Sequence, residues 1–260
     1  MDHGHGPAAA RMSGPVRVRL LSGPPFGAEL FGKVAARLEE RLAPSQGAVS
    51  CEDVLDSAGG GGWCEAGDAL ARTLDADTVL VAHGLAVPAA VHAAMQVAPR
   101  RLVLTNGPTT WLHPVVRAVA EGARAGGIVF AETALRPAPW LGWLASSVCL
   151  RRAVVNPYVM DRDTVAALCG PQVATSAGRR ALAAYLGSLA GGLPDTRSLR
   201  VPLLLVWGDD DRLHPAREAT ALEATVSGAR HVAIPGGHWG HPEERPWALA
   251  DAIAAGLAGD

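Results

Sequence analysis

The groups best suited to acid–base chemistry stand in the last quarter of the chain. Asp209, Asp210 and Asp211 follow the apolar run Val201–Trp207, and His238 follows Ile234 in Pro235-Gly236-Gly237-His238. Two glycines before an imidazole favour an exposed ring at a strand end. A histidine next to a carboxylate can activate water or take a proton from a bound molecule. The plainer alternative is a turn histidine and a loop or helix-capping carboxylate. His83 ends the run Val79–Ala82, where it either points into a site or packs against a neighbouring element; packing is expected. His214 and His241 are expected at the surface. Asn106 ends the run Leu102–Thr105, at the end of a strand where open α/β sheets bind ligands. It either touches a ligand or caps the segment after it.

Cysteine chemistry is not indicated. Cys51, Cys64, Cys149 and Cys169 form no C-x-x-C pair and no zinc-finger spacing with the histidines. They are expected to be reduced, mostly buried thiols of a cytoplasmic protein. Cys64 follows the four-glycine run Gly59–Gly62 at a helix start, where a thiolate gains stability, but a structural role is expected. No local spacing supports a metal site built from His83, His238 and a carboxylate. Neither a metal nor a cofactor is therefore expected.

The elements that must position these groups are legible in the hydrophobic pattern. Strands are expected at Val16–Leu21, Ala48–Leu55, Thr78–Ala82, Leu102–Thr105, Val201–Trp207 and His231–Ile234. Helical spacing marks Ala28–Leu42, Glu65–Leu74, Ala86–Val97, Pro215–Thr225 and Pro246–Leu257. The continuous apolar run Thr78–Ala82 suits a parallel strand buried on both faces. Alternating strands and helices imply right-handed crossovers and a mostly parallel, doubly wound α/β sheet. The stretch 107–195 breaks the rhythm. It is helical in pattern, holds several prolines, and carries Trp111, Trp140 and Trp143. It reads as a helical insertion between two strands. If the tryptophans line a pocket, its ligand is apolar or aromatic; packing is the alternative.

Composition narrows the partners. The chain has 260 residues, a net charge of −2 and 18% charged residues, so it has no electrostatic footprint for nucleic acid or an anionic membrane. No run approaches the roughly 18 apolar residues of a membrane span. Residues 1–15 have no apolar segment of the kind a secretory signal needs, and are expected to form a flexible terminus. Lys33 is the only lysine, and with abundant alanine this fits a bacterial-type composition bias. A small apolar molecule is the expected partner. Oligomeric state leaves no trace in the sequence.

Three segments carry a resemblance. They are Val79-Leu80-Val81-Ala82-His83-Gly84-Leu85-Ala86, then Val206-Trp207-Gly208-Asp209-Asp210-Asp211-Arg212-Leu213-His214-Pro215, then Ile234-Pro235-Gly236-Gly237-His238-Trp239-Gly240-His241-Pro242-Glu243. In this order the chain resembles the α/β-hydrolase fold superfamily from Val16 to Leu257. The resemblance implies a sheet shortened at its N-terminal side and a lid at 107–195, over a core of 16–106 and 196–260. It also implies a triad in which the acid is Asp211 and the histidine His238.

The nucleophile position breaks the pattern. The family elbow reads G-x-S-x-G; here it reads Ala82-His83-Gly84-Leu85-Ala86, and Gly84 has no side chain to attack with. The oxyanion loop departs too. Ser22-Gly23-Pro24-Pro25 puts Pro24, which has no N–H, where a donor is expected, leaving Leu85 and, if the loop shifts, Phe26 or Gly27. Ser22 and Ser57 are substitute nucleophiles in name only, since neither sits on an elbow. Two functions are open. One is an enzyme using His238 and Asp211 for hydrolysis, elimination or cyclisation without a covalent intermediate, with Leu85, Pro24, Ser22, His83 and Asn106 around the ligand and Trp111, Trp140 and Trp143 in the lid. The other is a catalytically silent protein that binds a small ligand or a partner. A serine esterase mutated at one position is disfavoured, because Ala82 and Ala86 depart from the elbow as well.

Overall fold

The computed structural model describes residues 16–42 and 47–258. The terminus expected to be flexible, 1–15, lies outside the described residues.

Six strands form one parallel sheet: β1 (Arg17–Ser22), β2 (Ala48–Asp53), β3 (Thr78–His83), β4 (Arg101–Thr105), β5 (Leu203–Gly208) and β6 (Arg230–Ile234), in the order β2-β1-β3-β4-β5-β6. All five pairings are parallel. The central strands β3, β4 and β5 are buried at every position, as their unbroken apolar runs require, whereas the edge strands β2 and β6 keep exposed residues.

Helices cover both faces. In chain order they are α1 (Gly32–Leu42), α2 (Val54–Ala58), α3 (Trp63–Ala71), α4 (Val87–Gln96), α5 (Pro114–Thr133), α6 (Pro137–Leu144), α7 (Arg162–Val173), α8 (Ser176–Leu189), α9 (Arg217–Thr225), α10 (His241–Glu244) and α11 (Pro246–Ala258). Strand alternation sorts the core into two layers. Val18, Val79, Val81, Val103 and Val206 face α1 and α11. Leu80, Ala82, Leu102, Leu104, Leu205 and Trp207 face the other way, into a layer that continues through α3 and α4 into α5–α8. The helices α5–α8 all lie between β4 and β5, so the expected helical insertion is present.

One strand boundary differs in kind from the sequence pattern. The run Ala48–Leu55 does not stay extended to its end. Asp53 caps α2 by accepting the N–H of Leu55 at 2.9 Å, and the last two residues turn into that helix.

The strand order reverses between β1 and β3, which the chain leaves in opposite directions. Their C-terminal ends therefore open a crevice, the usual ligand position in such sheets. The loop Gly23–Pro25 and the turn at Gly84 meet there. A Cβ on Gly23 would lie 2.1 Å from the backbone N of Ala86, so only glycine lets the two segments pass this closely.

Candidate functional site

The turn after β3 is built as a strand–turn–helix elbow. His83 is the last residue of β3, Gly84–Ala86 make a single tight turn, and α4 begins at Val87. Gly84 has φ +58°, a conformation that suits glycine and strains most other residues. The space beside it is filled by Trp239. A Cβ placed on Gly84 would lie 2.8 Å from the Trp239 Nε1. The indole thus occupies the space that a side chain at position 84 would need. It is 5% exposed and packs against Phe26, His83 and His214, with ring centroids 5.0, 6.3 and 5.9 Å away. Its Nε1 is buried and has no acceptor among the described residues.

Asp211 lies in the loop after β5 and is 4% exposed. Its Oδ2 accepts from Asn106 Nδ2 at 2.6 Å and its Oδ1 from the Leu213 N–H at 2.8 Å. Burial outweighs these bonds and pushes the carboxyl up to about 7. Asn106 also accepts the N–H of Gly208 at 2.9 Å through its Oδ1, so one buried amide ties the end of β4 to the end of β5. Asn106 holds this posture at φ +39°, a left-handed conformation that asparagine tolerates better than most residues.

The expected hydrogen bond between Asp211 and His238 is not made. Both carboxylate oxygens are engaged by Asn106 and the Asp211–Leu213 turn, and His238 Nδ1 is buried without a partner among the described residues. His238 contributes its main-chain carbonyl instead, which accepts from the N–H of His241 at 3.0 Å and from His241 Nδ1 at 2.9 Å. Since Nδ1 donates there, the neutral ring accepts at Nε2 from the Thr105 hydroxyl at 2.7 Å.

His241 and His214 are buried, not at the surface as their polarity suggested. Burial lowers both imidazoles to about 3. His83 is also fully buried. It is held well below its ordinary value by burial, with His241 and His214 nearby adding to the effect. All three are therefore neutral packing partners at neutral pH. The expectation that His83 packs is met by its contacts with Phe26, Phe31, Trp239 and His241.

A cavity of about 270 Å³ opens above Trp239. Pro24, Pro25, Leu85 and Trp239 come from the sheet side, and Val116, Val119, Trp140, Trp143 and Leu186 from the insertion. Trp140 and Trp143 pack at 5.2 Å between ring centroids. Tyr185 of α8 braces the boundary by donating its hydroxyl to the Leu85 carbonyl at 2.7 Å.

No protein-family model matches the chain, and no curated protein matches it. Solved structures do. An α/β hydrolase fold protein from Burkholderia ambifaria aligns with a TM-score of 0.66 at 20% identity, over 95% of this chain and 91% of its own. MenH from S. aureus aligns with a TM-score of 0.69 at 13% identity, over 96% of each chain. Haloalkane dehalogenase DbeA from Bradyrhizobium elkani USDA94 aligns with a TM-score of 0.69 at 18% identity, over 96% of this chain and 91% of its own. The chain has the α/β-hydrolase fold.

On this α/β-hydrolase fold the residues picked from the sequence separate into two groups. Leu85, Pro24, Trp140 and Trp143 line the cavity. Ser22, His83 and Asn106 are fully buried and take no part in the lining; Ser22 donates its hydroxyl to the Glu52 carbonyl at 3.1 Å. Asp211 and His238 do not line it either, although Arg212 and Leu213 do. Trp111 stands apart, packed edge-on against His113 and beneath the guanidinium of Arg217, 5.5 Å from the ring centroid. Neither substitute oxyanion donor is free, because the Phe26 N–H donates to Gly23 and the Gly27 N–H to Leu168. Sequence reasoning missed Trp239, Tyr185, His113, Arg152 and Arg212. Only Trp239 carried a signal, a large ring directly after His238. Among the described residues no three His, Cys, Asp or Glu groups are arranged to hold a metal.

Proposed function

We propose that this protein binds a small apolar molecule on the α/β-hydrolase fold without covalent catalysis. Residues 107–195 serve as a lid over the core of 16–106 and 196–260, and the ligand sits between them. The observation that carries this reading is the Trp239 indole over Gly84. It divides the cavity from the position where a nucleophile would act and turns that position into an apolar floor. A ligand seated there gains about 25 cal/mol for each Å² of apolar surface it buries. The test is a thermal-shift screen of small apolar compounds on the purified chain. A ligand at a hundred times its Kd should add about 2.7 kcal/mol of stability. Val119→Trp, which fills the cavity from a half-buried position, should remove the effect. Saturable hydrolysis of 4-nitrophenyl esters by the unaltered chain would overturn the reading.

A second reading rests on Asp211. A carboxyl at about 7 can exchange protons near neutral pH, and with His238 it suits non-covalent hydrolysis, elimination or cyclisation. This reading requires the Trp239 loop to turn so that both groups reach the ligand. It gains if a measured turnover is abolished by His238→Ala while ligand binding survives.

A further inference from the structure

The cavity is apolar in area but one-sided in its polar chemistry. Among the described residues no Asp, Glu, Asn, Gln, Ser or Thr lines it. Trp140 and Trp239 are 7% and 5% exposed, and each has a buried indole N–H with no acceptor among the described residues. Both N–H groups are sealed from the cavity, that of Trp239 against Gly84, so a ligand there does not reach them. His113 accepts the Val115 N–H at 3.2 Å through Nδ1, which puts the proton of the neutral ring on Nε2 and makes it a donor. Burial favours that neutral form.

Arg152 and Arg212 complete the lining. Both are exposed, and neither guanidinium has a hydrogen-bond or ion-pair partner among the described residues. Arg19 is matched with Glu52, Arg37 with Asp251, Arg179 with Glu132 and Arg197 with Asp195, while exposed arginines away from the cavity, Arg162 and Arg230 among them, are unpaired like Arg152 and Arg212. Two unmatched guanidinium groups beside an apolar cavity whose lining has no carboxylate make a site for an anion attached to an apolar body. The cavity, at about 270 Å³, falls just below the range that holds drug-sized ligands, so that body is small.

We infer that the cavity takes a monocarboxylic acid with a medium-length apolar tail, its tail between Trp143 and Leu186 and its carboxylate toward Arg152 and Arg212. This rests on the apolar-ligand reading above and adds the charge of the head group. Arginine suits a carboxylate because its planar fork can donate two parallel hydrogen bonds.

The experiment is titration calorimetry of the full chain with decanoate, decanol and propanoate, all below micelle-forming concentrations. Decanoate should bind at least tenfold more tightly than decanol, propanoate should give no saturable heat, and added salt should weaken decanoate selectively. In the double variant Arg152→Gln/Arg212→Gln the decanoate-to-decanol ratio should fall toward one. Both side chains are exposed, and circular dichroism is the check that the variant is folded. Equal binding of decanoate and decanol would overturn the head-group assignment and leave the apolar cavity standing, as would an unchanged ratio in the double variant. Absence of saturable binding by either long-chain compound would overturn the assignment together with the reading beneath it.

Discussion

Placing a serine at Gly84 should damage the protein rather than activate it. Gly84 has φ +58°, where an L side chain costs about 1–2 kcal/mol. The new Cβ would also lie 2.8 Å from the Trp239 Nε1, and forced overpacking of a buried site costs about 1–3 kcal/mol. Gly84→Ser should therefore lose roughly 2–5 kcal/mol, a drop in Tm on the order of 5–15 °C for a chain of this size. Trp239→Ala alone should lose about 3–5 kcal/mol through the cavity it leaves. If the indole is what the serine strikes, the double variant relieves the clash. Its loss should then fall short of the two single losses combined by about 1–3 kcal/mol. Urea unfolding of all four proteins measures this coupling. Losses that add to within about 0.5 kcal/mol would refute the claim that Trp239 fills the space beside Gly84. Ester turnover appearing in Gly84→Ser with Trp239 intact would refute it as well.

Other outcomes arise from the buried polar groups. Asn106→Ala strips Asp211 of its closest donor and Gly208 of its acceptor, and should cost about 3 kcal/mol or more in urea unfolding. Asp211→Asn should cost less, because no buried charge is stranded. Tyr185→Phe removes the hydroxyl that satisfies the Leu85 carbonyl and should cost about 1–2 kcal/mol without changing the cavity's shape. Stability should rise with pH around pH 5. There the unfolded chain protonates His83, His214 and His241, which stay neutral when folded, while the folded chain keeps protons on Asp53, held at about 6, and Asp211, held at about 7. Three protons gained on unfolding against two lost leave a slope of about 1.4 kcal/mol per pH unit. The histidine contribution is complete above about pH 6.5, and the carboxyl contribution is lost as pH climbs through 6 to 7. Urea midpoints that stay flat or fall between pH 4.5 and 6 would contradict this balance. A neutral thiol reagent should label the exposed Cys64 first and spare Cys149, whose thiol burial pushes up to about 12, and the fully buried Cys169.

The sheet was readable because burial on both faces confines polar residues to the ends of the central strands. The runs Thr78–Ala82, Leu102–Thr105 and Val201–Trp207 each mark a central strand to within a residue or two. The insertion was readable because helical spacing and three tryptophans interrupt the strand–helix rhythm. The end of β2 was misread because Val54 and Leu55 are as apolar in a capped helix as in a strand.

Within the site, the strand-end positions of Asp211 and His238 were visible, but their partners were not. Asn106 reaches Asp211 across more than a hundred residues of sequence, and no local pattern announces such a bond. His214 and His241 looked like surface residues because histidine is polar. They are buried where aromatic neighbours surround them and, for His241, where Thr105 and the His238 carbonyl satisfy both ring nitrogens. The meeting of Trp239 with Gly84 is likewise a fact of the fold. A missing side chain in one loop makes room for a large ring from another.

A crystal structure of the chain grown with a ligand found in the thermal-shift screen tests the central claim most directly. The account predicts a ligand held between Trp143 and Leu186, above an indole of Trp239 that still covers Gly84, with no covalent bond to the protein. A ligand in contact with Gly84 and flanked by His238, with Trp239 turned away, would contradict it.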